Sequence, residues 1–319
     1  MKAYLYMVLA AICLATIGVL IKMVGTAVPI MSLSFLRMFV AFIFLLAITP
    51  IANKGFMKVN PKKIPKFLGI GIIYAIAIAL YNIANLHTTI QNAVLLHYIY
   101  PFFVLFFAYF LLKEKITKTK AITLVIAMAG IAVINPLDVT TNIYGNLIAV
   151  LGAVFYAILV TEMRSVDKEH CPGSIVWFVF FAALALLPFA FIYGFGDWIS
   201  VLPQIILLGV VSTGLAYMLY NLALEQMEAE NASVIAMIIT PIVSILLAFF
   251  IIAEQINFSS IIGGGLLVVA GIYLETHSKQ IKKEEAFQTQ VEAVTFDAKH
   301  KTTKKLGVVK NKLTNTKKK

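Results

Sequence analysis

The chain has 319 residues, 61% of them hydrophobic and 13% charged, with a mean hydropathy of +0.93. Soluble domains carry roughly one-quarter charged residues, so this balance excludes a soluble globular protein and requires an integral membrane one. The formal net charge of +11 does not point to nucleic acid, because 12 of the 26 basic residues follow His277 in one polar segment and most others sit in short loops.

A bilayer crossing takes about 20 apolar residues. Ten windows meet or approach that length: 3–24, 30–49, 67–86, 91–112, 119–136, 143–164, 174–195, 203–224, 231–253 and 258–276. The first resembles a secretory leader, but its length and the crossings behind it make it an uncleaved helix. Cys13 lies inside it and Cys171 in a polar loop, so no disulfide is expected. The second window holds Arg37, the one charge well inside a span, at a cost of roughly 3 kcal/mol at a helix centre. Either it snorkels to the outer end or it offers an anion contact at an outer vestibule. Lys22, nearer the surface, reads as an interface anchor within reach of Glu254.

The third window carries Tyr74, Tyr81, Asn82 and Asn85 on one helical face, and the eighth carries Thr213, Tyr217, Tyr220 and Asn221 at the spacing i, i+4, i+7, i+8. Apolar Ile78 holds the i+4 place in the third window, so the match is partial. Bare amides are costly in hydrocarbon, so Asn82 and Asn221 either bond a neighbouring helix or line a wet cavity. The tyrosines suit a cavity that takes solutes of mixed polarity. In the fourth window His97, Tyr100, Pro101 and Val104 share a face. His97 is either a satisfied structural group or one that contacts substrate or carries a proton. Tyr156 in the sixth window and Thr240 in the ninth complete the candidate substrate-binding set. The fifth window is short and needs Lys118 and Lys120 to reach back to the interface.

Pro101 and Pro241 fall near the midplane of the fourth and ninth windows, and each is expected to interrupt its helix. The carbonyls of His97 and Met237 would then face protein, water or substrate. Gly69 with Gly71, and Gly263 to Gly265, read as close-packing faces. Glu114 and Glu254 stand at helix C-termini, where the dipole disfavours a carboxylate. They make either a structural or gating contact or a solvated interface charge. No Asp or Glu lies in the middle of a window, where ion pumps usually place one. Side-chain proton coupling would therefore fall on His97, with exchange or facilitated flux as the alternative.

Lys54, Lys58, Lys62, Lys63 and Lys66 between windows two and three, and Lys113, Lys115, Lys118 and Lys120 between four and five, place those loops and both termini in the cytoplasm. The acidic loop Glu225 to Asn231 counts little under this rule. The two halves repeat one another: Leu80-Tyr81-Asn82 as Leu219-Tyr220-Asn221 at an offset of 139, Pro101 and Glu114 as Pro241 and Glu254 at 140, and Ala129-Gly130-Ile131 as Ala270-Gly271-Ile272 at 141. Five helices per copy is an odd number, so the second copy enters the membrane inverted. The expected fold is all-α integral membrane, ten transmembrane helices as two inverted five-helix repeats, 1–137 and 138–277. Residues 278–319 form a basic cytoplasmic tail, expected to be disordered or to contact anionic lipid.

A transporter is the reading these features favour. A membrane-embedded enzyme needs clustered His, Asp or Glu, but His87, His97, His170, His277 and His300 are scattered. A channel needs a continuous polar path or a charged ring. No metal-ligand spacing or cofactor motif is present, so no metal or cofactor is expected.

These residues resemble the drug/metabolite transporter superfamily, specifically its EamA-type ten-span members. The likeness rests on Leu36-Arg37-Met38 in the second window, Pro101 thirteen residues before the Glu of Lys113-Glu114-Lys115, the matching Pro241 to Glu254 interval and the late Ala-Gly-Ile of each copy. It covers residues 1 to about 277. The resemblance implies alternating access through a central cavity for small metabolites such as amino acids. A plasma or inner membrane location and a monomer or homodimer are expected. The chain departs from the family where a glycine commonly precedes each closing Glu: Lys113 and Ala253 stand there.

Overall fold

The computed structural model describes residues 2–52, 61–88, 90–114, 117–134, 143–168, 173–253, 256, 258–273 and 276–277. Expectations placed on Cys171, Glu254, Lys54, Lys58, Lys115, the side chain of Asn85 and the tail from Ser278 lie outside those residues. Met1–Gly271 forms one compact unit; of the second, Ile272–Lys319, only Ile272, Tyr273, Thr276 and His277 are described.

Lipid offers the backbone no hydrogen-bond partners, so an apolar chain crosses a bilayer only as helices or as a closed barrel. The described residues take the helical solution, with no strand among them. In chain order they form α1 (Lys2–Val24), α2 (Ile30–Ala52), α3 (Ile64–His87), α4 (Ile90–His97), α5 (Tyr100–Phe107), α6 (Lys118–Ile134), α7 (Ile143–Lys168), α8 (Ser174–Tyr193), α9 (Leu202–Gly209), α10 (Ala216–Leu224), α11 (Ala229–Ile252) and α12 (Phe258–Tyr273). A π-helical turn, Ala108–Leu112, extends α5, and a second, Val210–Leu215, joins α9 to α10. Among the described residues, eight stretches are long and apolar enough to cross a membrane. The expected fifth and tenth crossings are shorter helices, α6 with 17 residues and α12.

Helix pairing places the centre of the molecule. α3 packs along α7 and α8, α2 along α8 and α9, α1 along α10 and α11, and α4 and α5 along α7. Exchanging the first five stretches for the second five maps this set onto itself. The α3 and α7 pair becomes α10 and α1, α3 and α8 becomes α9 and α2, and α5 and α7 becomes α11 and α1. α6 and α12 meet where Gly130 faces Gly263: a Cβ on Gly130 would lie 2.8 Å from the Gly263 carbonyl oxygen, and the reverse substitution would strike Gly130. Gly264, Gly265 and Gly69 have nothing within 4 Å of a built Cβ, so the close packing expected of both glycine groups belongs to Gly263 and Gly71 alone.

The two midspan prolines differ. Pro101 stands in the first turn of α5, after a break at Tyr98 and Ile99, where its missing N–H costs nothing. Pro241 lies inside α11, which continues through it as one helix, so the expected second interruption does not occur. α11 is held along its length by α1, to whose Ala11 and Ala15 carbonyls Thr240 and Ser244 donate at 3.5 and 3.1 Å. A packed membrane helix absorbs a proline by local adjustment when its neighbours steady it.

Candidate substrate site

The helices that cross at the centre carry most of the tyrosines singled out above. Tyr74 on α3 and Tyr217 on α10 lie with ring centroids 5.1 Å apart, and Tyr217 is 6.4 Å from Tyr220. The Tyr217 hydroxyl is hydrogen-bonded to that of Tyr156 on α7, at 3.2 Å. Tyr156 in turn contacts Tyr100 at 4.8 Å and His97 at 5.1 Å, and His97 contacts Tyr81 at 4.8 Å. The result is a continuous path of aromatic rings through α3, α4, α5, α7 and α10. Tyr98, which the sequence did not single out, joins the path through His97.

Arg37 faces this path. Its guanidinium lies within electrostatic reach of Tyr74, Tyr156 and Tyr217. Five buried polar atoms around the path have no hydrogen-bond partner: Arg37 Nε, the Tyr74 and Tyr220 hydroxyls, His97 Nδ1 and Asn221 Oδ1. Buried polar groups are normally paired, so these open atoms are where a water, an ion or a solute would find partners.

The remaining candidates are used differently. Asn82 donates from Nδ2 to the Ser34 hydroxyl on α2 at 2.6 Å, which makes it an interhelical bond. Its counterpart Asn221 makes no such bond from its carbonyl oxygen. Thr240 belongs to the seam with α1 described above. Tyr100 combines two roles, since its hydroxyl also donates to the Ser233 carbonyl on α11 at 3.3 Å.

The lysine-rich end of the bundle holds a cluster that sequence reasoning missed. Lys120 at the start of α6 is 8% exposed in its side chain, and its Nζ lies 2.6 Å from Glu228 and 2.9 Å from Glu230. Glu230, 1% exposed, lies in the first turn of α11. The Arg164 Nε on α7 donates to Glu114 at 3.4 Å, and its Nη1 donates to the Leu224 carbonyl at the end of α10. Lys120 therefore does not reach out to the interface as expected, and the acidic loop is its partner. The one sequence signal was the adjacency of basic and acidic loops on the same side.

A cleft of ≈ 380 Å³ opens elsewhere, between α1, α9, its π-helical turn and α11, lined by Leu20, Met23, Leu207, Val211 and Leu247 among others. That lining suits lipid and not a polar solute. Among the described residues no three His, Cys, Asp or Glu side chains are grouped to hold a metal ion.

The EamA-like transporter family matches this chain twice, over residues 1–135 and 143–276. A transporter of Archaeoglobus fulgidus is 25% identical over 270 residues, covering 84% of this chain and 93% of its own. A second from the same organism is 28% identical, over 68% of this chain and 79% of its own. The pseudopaline exporter CntI of Pseudomonas aeruginosa is 24% identical over 57% of this chain and 63% of its own. A crystal structure at 17% identity shares the fold, with a TM-score of 0.76 over 88% of this chain and 98% of that one.

Proposed function

This chain belongs to the EamA-like transporter family, and on that premise we propose that it is a secondary carrier moving small metabolites across the cell membrane by alternating access. The observation that carries this reading is the ring path itself. Tyr74, Tyr81, His97 and Tyr100 come from the first half of the chain, and Tyr156, Tyr217 and Tyr220 from the second, so a shift of one half against the other remakes the site. Binding residues at the seam between halves are what an alternating-access carrier needs.

Two further observations support inverted halves, 1–137 and 138–277. The family matches each half separately, and the helix pairs exchange into one another. The lysine-rich loops favour a cytoplasmic side for that end, and with it for both termini. The broken α4 to α5 segment and the proline-containing α11 are the elements that move against α3 and α10. Similarity to a pseudopaline exporter favours outward transport of small metabolites such as amino acids.

Counterflow in proteoliposomes, screened with amino acids, nucleosides and organic acids, tests the reading. His97→Ala and Tyr81→Ala should each lower flux at least about tenfold, the effect of losing roughly 1.4 kcal/mol of interaction, while the protein stays monodisperse. Unchanged flux in both variants removes the ring path from the site. A transmembrane pH gradient should alter flux only if His97 carries the coupling proton.

A further inference from the structure

We propose that Arg37 anchors the carboxylate of the transported solute, so that the carrier is selective for small monocarboxylates with an apolar or aromatic body. The inference rests on the carrier reading above and deepens it. Arg37 is seven residues into α2, about 10 Å below the start of the helix at 1.5 Å per residue. Tyr74 is ten residues into α3 from the opposite end, about 15 Å deep by the same measure and near the midplane. The difference in depth, about 5 Å, is within the reach of an arginine side chain.

A cation held in a span is stable only with an opposite charge, a polar neighbourhood or water. Among the described residues no carboxylate pairs with Arg37, and its Nε is buried without a hydrogen bond. Tyrosine hydroxyls supply a polar neighbourhood without supplying charge. A carboxylate entering the site would complete it, because a guanidinium presents two parallel donors that match two carboxylate oxygens. One guanidinium neutralises a monocarboxylate and leaves a phosphate dianion half compensated. The rings of Tyr74, Tyr217, Tyr220 and Tyr156 then accept the body of the solute on their faces.

The test is a counterflow and thermal-shift panel on the full-length protein in which the body is fixed and the charge varied. Phenylacetate is set against phenylacetamide and methyl phenylacetate, and phenylalanine against phenylalaninamide. The wild type should bind and exchange the two carboxylates at least tenfold better than their neutral or amide partners. Arg37→Gln should erase that preference, and Arg37→Lys should keep part of it. Amides that compete as well as carboxylates in the wild type would overturn the anchor even if both variants failed to fold. A carboxylate preference unchanged in Arg37→Gln would also overturn it, leaving Arg37 stacked on the tyrosines. In both cases exchange itself would still stand. Exchange absent for every solute in this panel and in the broader one would instead overturn the carrier reading, and the anchor with it.

Discussion

Lys113 and Ala253 close equivalent helices, and both adopt the left-handed conformation, at φ 59° and 51°. Their N–H groups reach back to Ala108 and Ala248, the same five-residue interval in each half. An L side chain in this conformation costs about 1–2 kcal/mol, and glycine removes that cost. Ala253→Gly should therefore raise stability by about 1 kcal/mol, seen as a higher midpoint in thermal or SDS unfolding. Lys113→Gly should do the same less cleanly, because it also removes a charge. A lower midpoint for Ala253→Gly would show that the side chain makes a contact outweighing the strain. The missing glycines were legible in the sequence, as a departure from the family's pattern. What they signify is a backbone angle, and residue identity does not report that when two non-glycine residues adopt it. Asn82 and Asn221 carry the same lesson: identical motifs, of which one finds Ser34 and the other leaves an oxygen open.

At the scale of elements, hydropathy located the helices well because lipid permits so few alternatives. It could not register changes of helical period. The π-helical turn Val210–Leu215 contains Ser212, Thr213 and Gly214, and the Thr213 hydroxyl donates five residues back to the Leu208 carbonyl at 2.7 Å. Ser212 shares a hydrogen bond of 2.6 Å with Thr16 on α1. A wider turn leaves backbone carbonyls for side chains to satisfy, and a short Ser-Thr-Gly run was its only trace. Tight crossings were half legible in the same way. Gly263, Gly264 and Gly265 look alike in sequence, yet only the first meets another backbone. Gly130→Val and Gly263→Val should each cost about 1–3 kcal/mol through overpacking of the α6 and α12 crossing. Gly264→Ala, placed in open space, should fall within about 0.5 kcal/mol of wild type. Equal losses at all three positions, read from the same unfolding midpoints, would refute the assigned crossing.

Across the whole molecule, the cluster at the lysine-rich end ties distant helices to one another. Its bonds join α6 to the start of α11 and the ends of α5, α7 and α10 to one another, and Lys120 lies 108 and 110 positions from its two partners. The positive-inside rule scored the basic loop by its charge and set the acidic loop aside, and so wide a separation left no local sign of the pairing. Removing one partner of a buried pair typically costs 3–5 kcal/mol, because the other charge is left uncompensated. When a pair exists in only one of two conformations, that cost falls on the conformation that holds it, and each 1.4 kcal/mol shifts the populations about tenfold. Lys120→Met should therefore open this end. The probe is Ser233→Cys, buried near the start of α11 and bonded through its carbonyl to Tyr100. In a background with Cys13 and Cys171 replaced by serine, an impermeant maleimide applied from the lysine-rich side should label this cysteine at least tenfold faster when Lys120→Met is present. Adding Glu228→Gln and Glu230→Gln removes the stranded charges and should return the rate toward its starting value. Labelling indifferent to all of these changes would mean that the ion cluster braces the bundle in every conformation and does not close one end of it.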